Sequence, residues 1–450
     1  MPAPQLPPLG RRGFAGLATA GLLAGCASVP DVGGLTGRDI GLHGHRPVTT
    51  GAGGIDALQL QYDLQRALSA SPIVSGNQVT LLPDGSQALR AILTAIAAAR
   101  DSINLEYFIL DDVHADGMAL SAVLLDRLQA GVKVNVIYDS YGSRDTPSAF
   151  FDALRSEGAK VVAFNPINPL DVRRNWSPND RDHRKIAVID GNVGFTGGVN
   201  LDKVYENPSS AGMPADGDSR KAYWRDTALR IDGPAVAELQ RLFFGTWRQQ
   251  KAPTADPADY FPPLPRQGVQ TVRIIGSSPG QNQPLSYASL LTAMHVARHR
   301  VWLCSGYFVP PHEEREELAR IARAGLDVRI IAPAFSDVQS AVYAGRAAYG
   351  DLLQAGARIW EVRDAVVHAK LAVVDDTWTM IGSSNLDRRS VVFNNEVDAV
   401  VLGHDTAGQV EAVMQQFMDA GHEVALARWT RRSLGERWRE IRARIWQYWM

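Results

Sequence analysis

Asp182 to Asn200 reads DHRKIAVIDGNVGFTGGVN, and Val367 to Asn385 reads VHAKLAVVDDTWTMIGSSN. Both stretches carry histidine, lysine, aspartate, glycine and asparagine at the same intervals: His183, Lys185, Asp190, Gly197 and Asn200, then His368, Lys370, Asp375, Gly382 and Asn385. Residues two apart on a β-strand point the same way, so each copy sets an imidazole beside an ammonium. Ile186 to Ile189 and Leu371 to Val374 are continuous apolar runs, the pattern of a central strand covered on both faces. Cations on such a strand are unfavourable unless an anion joins them. The histidine end of each strand is therefore the active edge, and the site is built from a pair.

The repeat extends beyond the motif. From Val79 onward, helical and strand periodicities alternate: a helix over 88–100 with Leu89, Ile92, Leu93 and Ile96 on one face, a strand over 102–110, a helix over 118–130, a strand over 133–138, and a helix over 148–157 closed by Gly158. The second half answers in kind, with INLEYF from Ile103 against VWLCSGYF from Val301, GVKVNVIYD from Gly131 against GLDVRIIAP from Gly325, and LRSEGAKV against LLQAGARI. This predicts an α/β fold of two lobes, 76–250 and 269–429, joined by a proline-rich linker over 251–268. A Gly/Ser-rich tether and one helix occupy 27–75. The insertion Tyr205 to Ala222 has no counterpart in the second half, and 430–450 reads as a basic, aromatic helix.

With 450 residues, 45% hydrophobic and 21% charged, the chain is not disordered, and a net charge of -2 gives no general affinity for nucleic acid. At the N-terminus, Arg11-Arg12 precede a short apolar run, Gly13 to Gly25, too short to span a bilayer. Leu23-Ala24-Gly25-Cys26 resembles a bacterial lipobox, so 1–26 reads as a lipoprotein signal peptide with Cys26 as the lipidated residue. Arg11 to Phe14 also resembles a twin-arginine export signal. Ala27 after the cysteine favours the outer membrane, giving an expected location in the cell envelope, lipid-anchored and facing the periplasm.

The segments Thr196 to Asn200 and Ile381 to Asn385 read as tight turns that can donate to an oxyanion. The phosphate-binding set is then Lys185, Lys370, Asn200, Asn385, Gly197 and Ser383, leaving His183 and His368 for covalent and proton-transfer work. Lysine two residues from histidine is no metal ligand and no other zinc spacing occurs, so neither metal nor cofactor is expected.

The doubled HxKxxxxD pattern, each copy with its downstream Gly and Asn, resembles the phospholipase D superfamily. That resemblance implies two α/β lobes, each a mixed sheet flanked by helices, related by a pseudo-twofold axis with the motifs meeting between them. It also implies metal-independent phosphoryl transfer through a phosphohistidine, with an acid hydrogen-bonded to a catalytic histidine. Asp226 and Glu396 match that acid, and the catalytic set becomes His183, His368, Lys185, Lys370, Asp190, Asp375, Asp226 and Glu396. Asp190 and Asp375 complete the motif, but lie far along the strand from their own histidines and read as structural. His183 is expected to attack phosphorus while His368 protonates the departing alcohol.

YGSRDTPSAFFDALRSEGAKVVAFNP from Tyr141, WRDTALRIDGPAVAELQRLFFGTW from Trp224 and SSNLDRRSVVFNNEVD from Ser383 resemble bacterial cardiolipin synthases. The resemblance implies phosphatidylglycerol as donor and as acceptor, cardiolipin and glycerol as products, and a site complete within one chain. A hydrolytic phospholipase D and a periplasmic phosphodiesterase or nuclease would use the same motif. Between Arg428 and Met450, seven arginines face two glutamates, and Leu434, Trp438, Ile441 and Ile445 share a helical face, which suits an anionic membrane better than nucleic acid.

Overall fold

The structure is a computed structural model and describes residues 57–68, 71–166, 177, 179–211, 223–253, 260–280 and 284–446. Cys26 with its leader, the tether up to residue 56, most of the insertion after Tyr205 and linker residues 254–259 lie outside the described residues.

Helix Gly85–Ala97 buries Leu89, Ile92, Leu93 and Ile96, and the Asp84 carboxylate caps it by accepting the Ser86 amide. Burying each of those side chains contributes about 1.5–3 kcal/mol, so the apolar face rather than helix propensity holds the element. Strands Ser102–Tyr107 and Lys133–Asp139 and helices Leu120–Gln129 and Ser148–Ser156 fall where the alternating pattern places them.

One 16-stranded mixed sheet runs through the molecule, fifteen strands in a single path and Arg181–Asp182 joined off that path to Asn394–Leu402. From one edge its order is Lys160–Phe164, Lys133–Asp139, Ser102–Tyr107, Lys185–Ile189, Val193–Gly197, Ala228–Asp232 and Ile73–Leu82. From the other side, inside the short edge strand Gly421–Glu423, it is Arg358–Val362, Asp327–Pro333, Arg300–Cys304, Leu371–Val374, Trp378–Gly382, Asn394–Leu402 and Gln270–Ser277. Both halves have the same succession of parallel and antiparallel neighbours, and they meet at the antiparallel pair Ile73–Leu82 with Gln270–Ser277. A strand order that reads alike from either end through an antiparallel centre is that of a pseudo-twofold axis.

The central strand revises the expected boundary at 75/76. Ile73 to Ser75 and Asn77 pair with the second half, Gln78 to Leu82 pair with the first, and Gly76, at φ 96°, takes the irregularity within the former ladder. The N-terminal helix Ala57–Ala67 likewise belongs to the second half. Arg273 is 1% exposed and its guanidinium donates to the carbonyls of Gln65 and Leu68, each at 2.7 Å, and to the Ser71 hydroxyl at 2.8 Å. The lobes also share a core, in which Ile186 and Val188 pack in one cluster with Ile381, Val397 and Ala399.

Helix Leu434–Trp446 docks on its own lobe, with Ala443 packed against Val309, Ala341 and Ala344 and Glu440 paired to Arg432 at 2.8 Å. Of the face expected to meet a membrane, Trp438 is 62% exposed, while the side chains of Leu434, Ile441 and Ile445 lie outside the described residues. Among the described residues no helix is long and apolar enough to cross a membrane.

Replacing Arg273 by alanine strands three buried acceptors. Arg273→Ala is expected to lower stability by about 2–4 kcal/mol in urea unfolding and to expose the 57–68 helix to protease.

Candidate active site

Two short parallel ladders build the site. Arg181–Asp182 pairs with Asn394–Asn395, and the His183 amide donates to the Asn395 carbonyl at 2.9 Å. Trp224–Arg225 pairs with Val366–Val367, and the His368 amide donates to the Arg225 carbonyl at 2.8 Å. In each case the residue after the accepting carbonyl is the acid. Glu396 therefore lies against His183, with Nδ1 to Oε2 at 2.9 Å, and Asp226 against His368, with Nδ1 to Oδ2 at 2.6 Å. Each of the two motif histidines is thus oriented by a carboxylate from the opposite half, a crossing that interval counting could not reveal. A carboxylate only accepts, so Nδ1 carries the proton and Nε2 keeps a lone pair for the reaction.

Lys185 and Lys370 are 1% and 3% exposed, and each ammonium donates to the carbonyl of its own motif's histidine, Lys185 at 2.6 Å. An ammonium has three donors, so each retains capacity for an anion. Burial brings Lys185 down to about 7 and Lys370 down to about 8. Burial and the two lysines hold His183 well below its ordinary value, and burial with Lys370 lowers His368. The acids differ. Burial of Asp226 is outweighed by Lys370 and His368 and its pKa falls, whereas burial of Glu396 outweighs Lys185 and the hydroxyl of Ser383 and its pKa rises.

The backbone cradle expected after each motif does not form. Gly198 donates its amide to the Thr227 carbonyl at 2.9 Å, Gly382 to Lys370, Ser383 to Val397 and Ser384 to the Asp398 carboxylate, so these groups are committed to the sheet. Ser383 therefore leaves the phosphate-binding set. Gly197 is required because its φ is 143° and a Cβ would stand 2.5 Å from the Thr227 carbonyl oxygen. The Ser383 hydroxyl donates to Glu396 at 2.6 Å. Asn200 accepts the Ile109 amide through Oδ1 at 3.2 Å, which leaves its amino group as the donor. Asn385 lines a cavity of about 20 Å³ with Glu314 and Asp387, room for about one water.

Asp190 and Asp375 stand apart from the reacting groups. The first accepts the amides of Arg100, Asp101 and Ser102, the second those of Arg298, His299 and Arg300, at 2.7–3.1 Å. They pin the turn before the neighbouring strand and so set the register of the motif strand.

Several functional neighbours carried no sequence signal strong enough to be singled out. Phe108 meets the His183 ring edge-on at 5.1 Å, and Trp224 lies 4.8 Å from the His368 ring. Tyr205 donates its hydroxyl to Asp226. Arg184, between His183 and Lys185, donates to the Glu396 carbonyl at 3.0 Å and the Ser277 carbonyl at 2.9 Å, clasping the first motif to the second half. Its counterpart after His368 is Ala369, a break in the repeat that was visible in the sequence.

Comparison with known proteins agrees with this geometry. A family model described as cardiolipin synthase, PLD-like domain, matches residues 92–207 and 290–418. Cardiolipin synthase A of Pseudomonas putida (strain W619) is 34% identical over 367 residues, 79% of this chain and 72% of that protein. Cardiolipin synthase of Geobacillus kaustophilus (strain HTA426) is 32% identical over 352 residues, 77% of this chain and 67% of that protein. The crystal structure of phosphatidylserine synthase from Haemophilus influenzae Rd KW20 shares the fold, with a TM-score of 0.58 and 13% identity over 81% of this chain and 92% of that one. Fold and site thus define a phospholipase D-like enzyme. Within that class, the chain belongs to the cardiolipin synthase family.

Because both lysine values fall on folding, the folded protein binds fewer protons than the unfolded chain between about 7 and the ordinary 10.5, and its stability rises with pH across that window. A bound anion acts oppositely by retaining those protons. Inorganic phosphate should raise the melting temperature more at about pH 6 than at about pH 9, and Lys185→Met should abolish most of that difference.

Proposed function

We propose that the chain transfers a phosphatidyl group from one phosphatidylglycerol to the terminal hydroxyl of a second, giving cardiolipin and glycerol. The observation that carries this reading is the crossed pair of histidine–acid contacts around two buried lysines, in a chain of the cardiolipin synthase family.

The chemistry follows from the protons. Nε2 of His183 attacks phosphorus, the P–N bond forms, and the P–O bond to the leaving glycerol breaks as His368 gives its Nε2 proton to that oxygen. His368, now neutral, takes the proton of the incoming hydroxyl, whose oxygen displaces His183 from phosphorus. Lys185 and Lys370 balance charge on the equatorial oxygens in both steps. Asp226 and Glu396 keep each imidazole in the Nδ1–H tautomer and stabilise the imidazolium form. The two steps balance, because the P–O bond broken in the first is replaced in the second by a P–O bond to the incoming hydroxyl.

The same reading places the protein at a lipid surface of the bacterial envelope, facing the periplasm. Cys26 supplies the acyl anchor and Ala27 directs it to the outer membrane. Exposed Trp438, with Arg439 and Arg442 beside it on the C-terminal helix, suits an anionic headgroup layer.

Purified protein incubated with labelled phosphatidylglycerol should yield cardiolipin and glycerol in equal amounts; phosphatidic acid as the sole lipid product would assign hydrolysis instead. His183→Ala and His368→Ala should each lose about 10³-fold or more in turnover. Quenching during turnover with denaturing detergent at neutral to mildly alkaline pH, where a P–N bond to histidine persists, should trap a phosphatidyl adduct on His183.

A further inference from the structure

Tyr205 stands behind His368 and is 0% exposed. Its hydroxyl donates to Asp226 Oδ2 at 2.8 Å and lies 3.1 Å from His368 Nδ1, while the same carboxylate oxygen takes His368 Nδ1 at 2.6 Å. Among the described residues, the other hydrogen bond to Asp226 comes from the Thr227 amide at 2.8 Å. The phenol cannot swing away. Its ring fills the space above Gly85, where an added Cβ would fall 2.2 Å from it, and the chain around it is held by Asp202, which accepts the Val204 amide, and by Ser209, whose hydroxyl and amide bind Asp84.

The second half has the same device with a different residue. Asp387 caps helix Arg388–Val392 as Asp202 caps the turn Lys203–Tyr205, and the residue three places on is Ser390 rather than tyrosine. Tyr205 and Ser390 are separated by the interval that separates His183 from His368. Ser390 accepts the Asn385 amide at 3.1 Å, and Glu396 receives the Ser383 hydroxyl on Oε2, the oxygen that also takes His183, and the Asn394 amino group on Oε1 at 3.0 Å. Where the second half has Ser383, the first has Gly198, and a Cβ there would meet Asp226 Oδ1 at 2.0 Å. A phenol therefore serves one acid, and an aliphatic hydroxyl together with a side-chain amide the other.

We infer that Tyr205 is a positioning residue for His368: by donating to Asp226 it weakens that carboxylate's hold on the His368 imidazolium and makes His368 a readier proton donor than it would be without the phenol. A carboxylate oxygen that already accepts a phenol proton is a weaker partner for a second donor. The other charged or titratable groups around His368 are Lys370 on its own motif, Lys185 and His183 from the facing motif, Cys304, and Tyr307 at 6.1 Å ring to ring. These set the background against which Tyr205 acts.

The inference rests on the paired-histidine reading, and the experiment separates the two. Turnover of phosphatidylglycerol in mixed micelles is followed from about pH 5 to about pH 9 for the full chain, for Tyr205→Phe, for the chain with 3-fluorotyrosine at position 205, and for His368→Ala. Tyr205→Phe should lower kcat about tenfold with KM within about twofold, and move the limb that reports His368 upward by about half a pH unit or more. Fluorotyrosine has the same shape but is the stronger donor, so it should move that limb downward, and it carries the test if the phenylalanine variant fails to fold. Limbs that stay in place in both proteins, or move in the same direction, overturn the inference, as does a loss confined to melting temperature. Full turnover in His368→Ala overturns the paired-histidine reading and this inference with it; an inactive His368→Ala with unmoved limbs overturns this inference alone.

Discussion

Everything in the site depends on two backbone hydrogen bonds that cross between halves: the His183 amide to the Asn395 carbonyl, and the His368 amide to the Arg225 carbonyl. Because the next residue along the accepting strand is the acid, these bonds place Glu396 and Asp226 against the opposite histidines without any search by flexible side chains. Neither half can then complete a histidine–acid pair alone. The shared apolar core and the central strand Ile73–Leu82, which pairs with both halves, supply the rigidity that such a crossing needs.

The buried lysines follow from the same geometry. An isolated ammonium inside a protein loses solvation that one carbonyl contact does not restore, which is why burial brings Lys185 and Lys370 down to about 7 and about 8. Two acids nearby compensate in part, and a phosphodiester completes the balance. Two buried cations fixed beside two acids are a preorganised arrangement suited to stabilising charge in a transition state.

Much of this was legible in the amino-acid sequence, for a definite reason. A duplicated motif with conserved intervals and apolar flanks reports strand type, burial and repeat at once, and the element periodicities around Leu89 to Ile96 and Lys133 to Tyr138 match the observed helix and strand. Long-range pairing is another matter. That Asp226 serves His368 rather than His183 is decided by strand register across the lobe interface, which intervals along one chain do not encode. The glycine-containing segments after each motif were expected to offer free amides, yet they end sheet strands whose amides are already bonded. Local composition cannot distinguish a turn that binds anions from a strand end of equal glycine content. Tyr205 escaped because its partner across the repeat is a serine, although its interval from Asn200 equals that of Ser390 from Asn385.

The crossed pairing can be read directly by nuclear magnetic resonance on protein with ¹⁵N-labelled histidine, with the His183 and His368 side-chain signals assigned by single substitutions. Glu396→Gln should shift the titration and tautomer signals of His183 and leave those of His368 nearly in place, while Asp226→Asn should do the reverse. If Glu396→Gln instead perturbed His368, the histidine of its own half, the crossed assembly described here would be wrong.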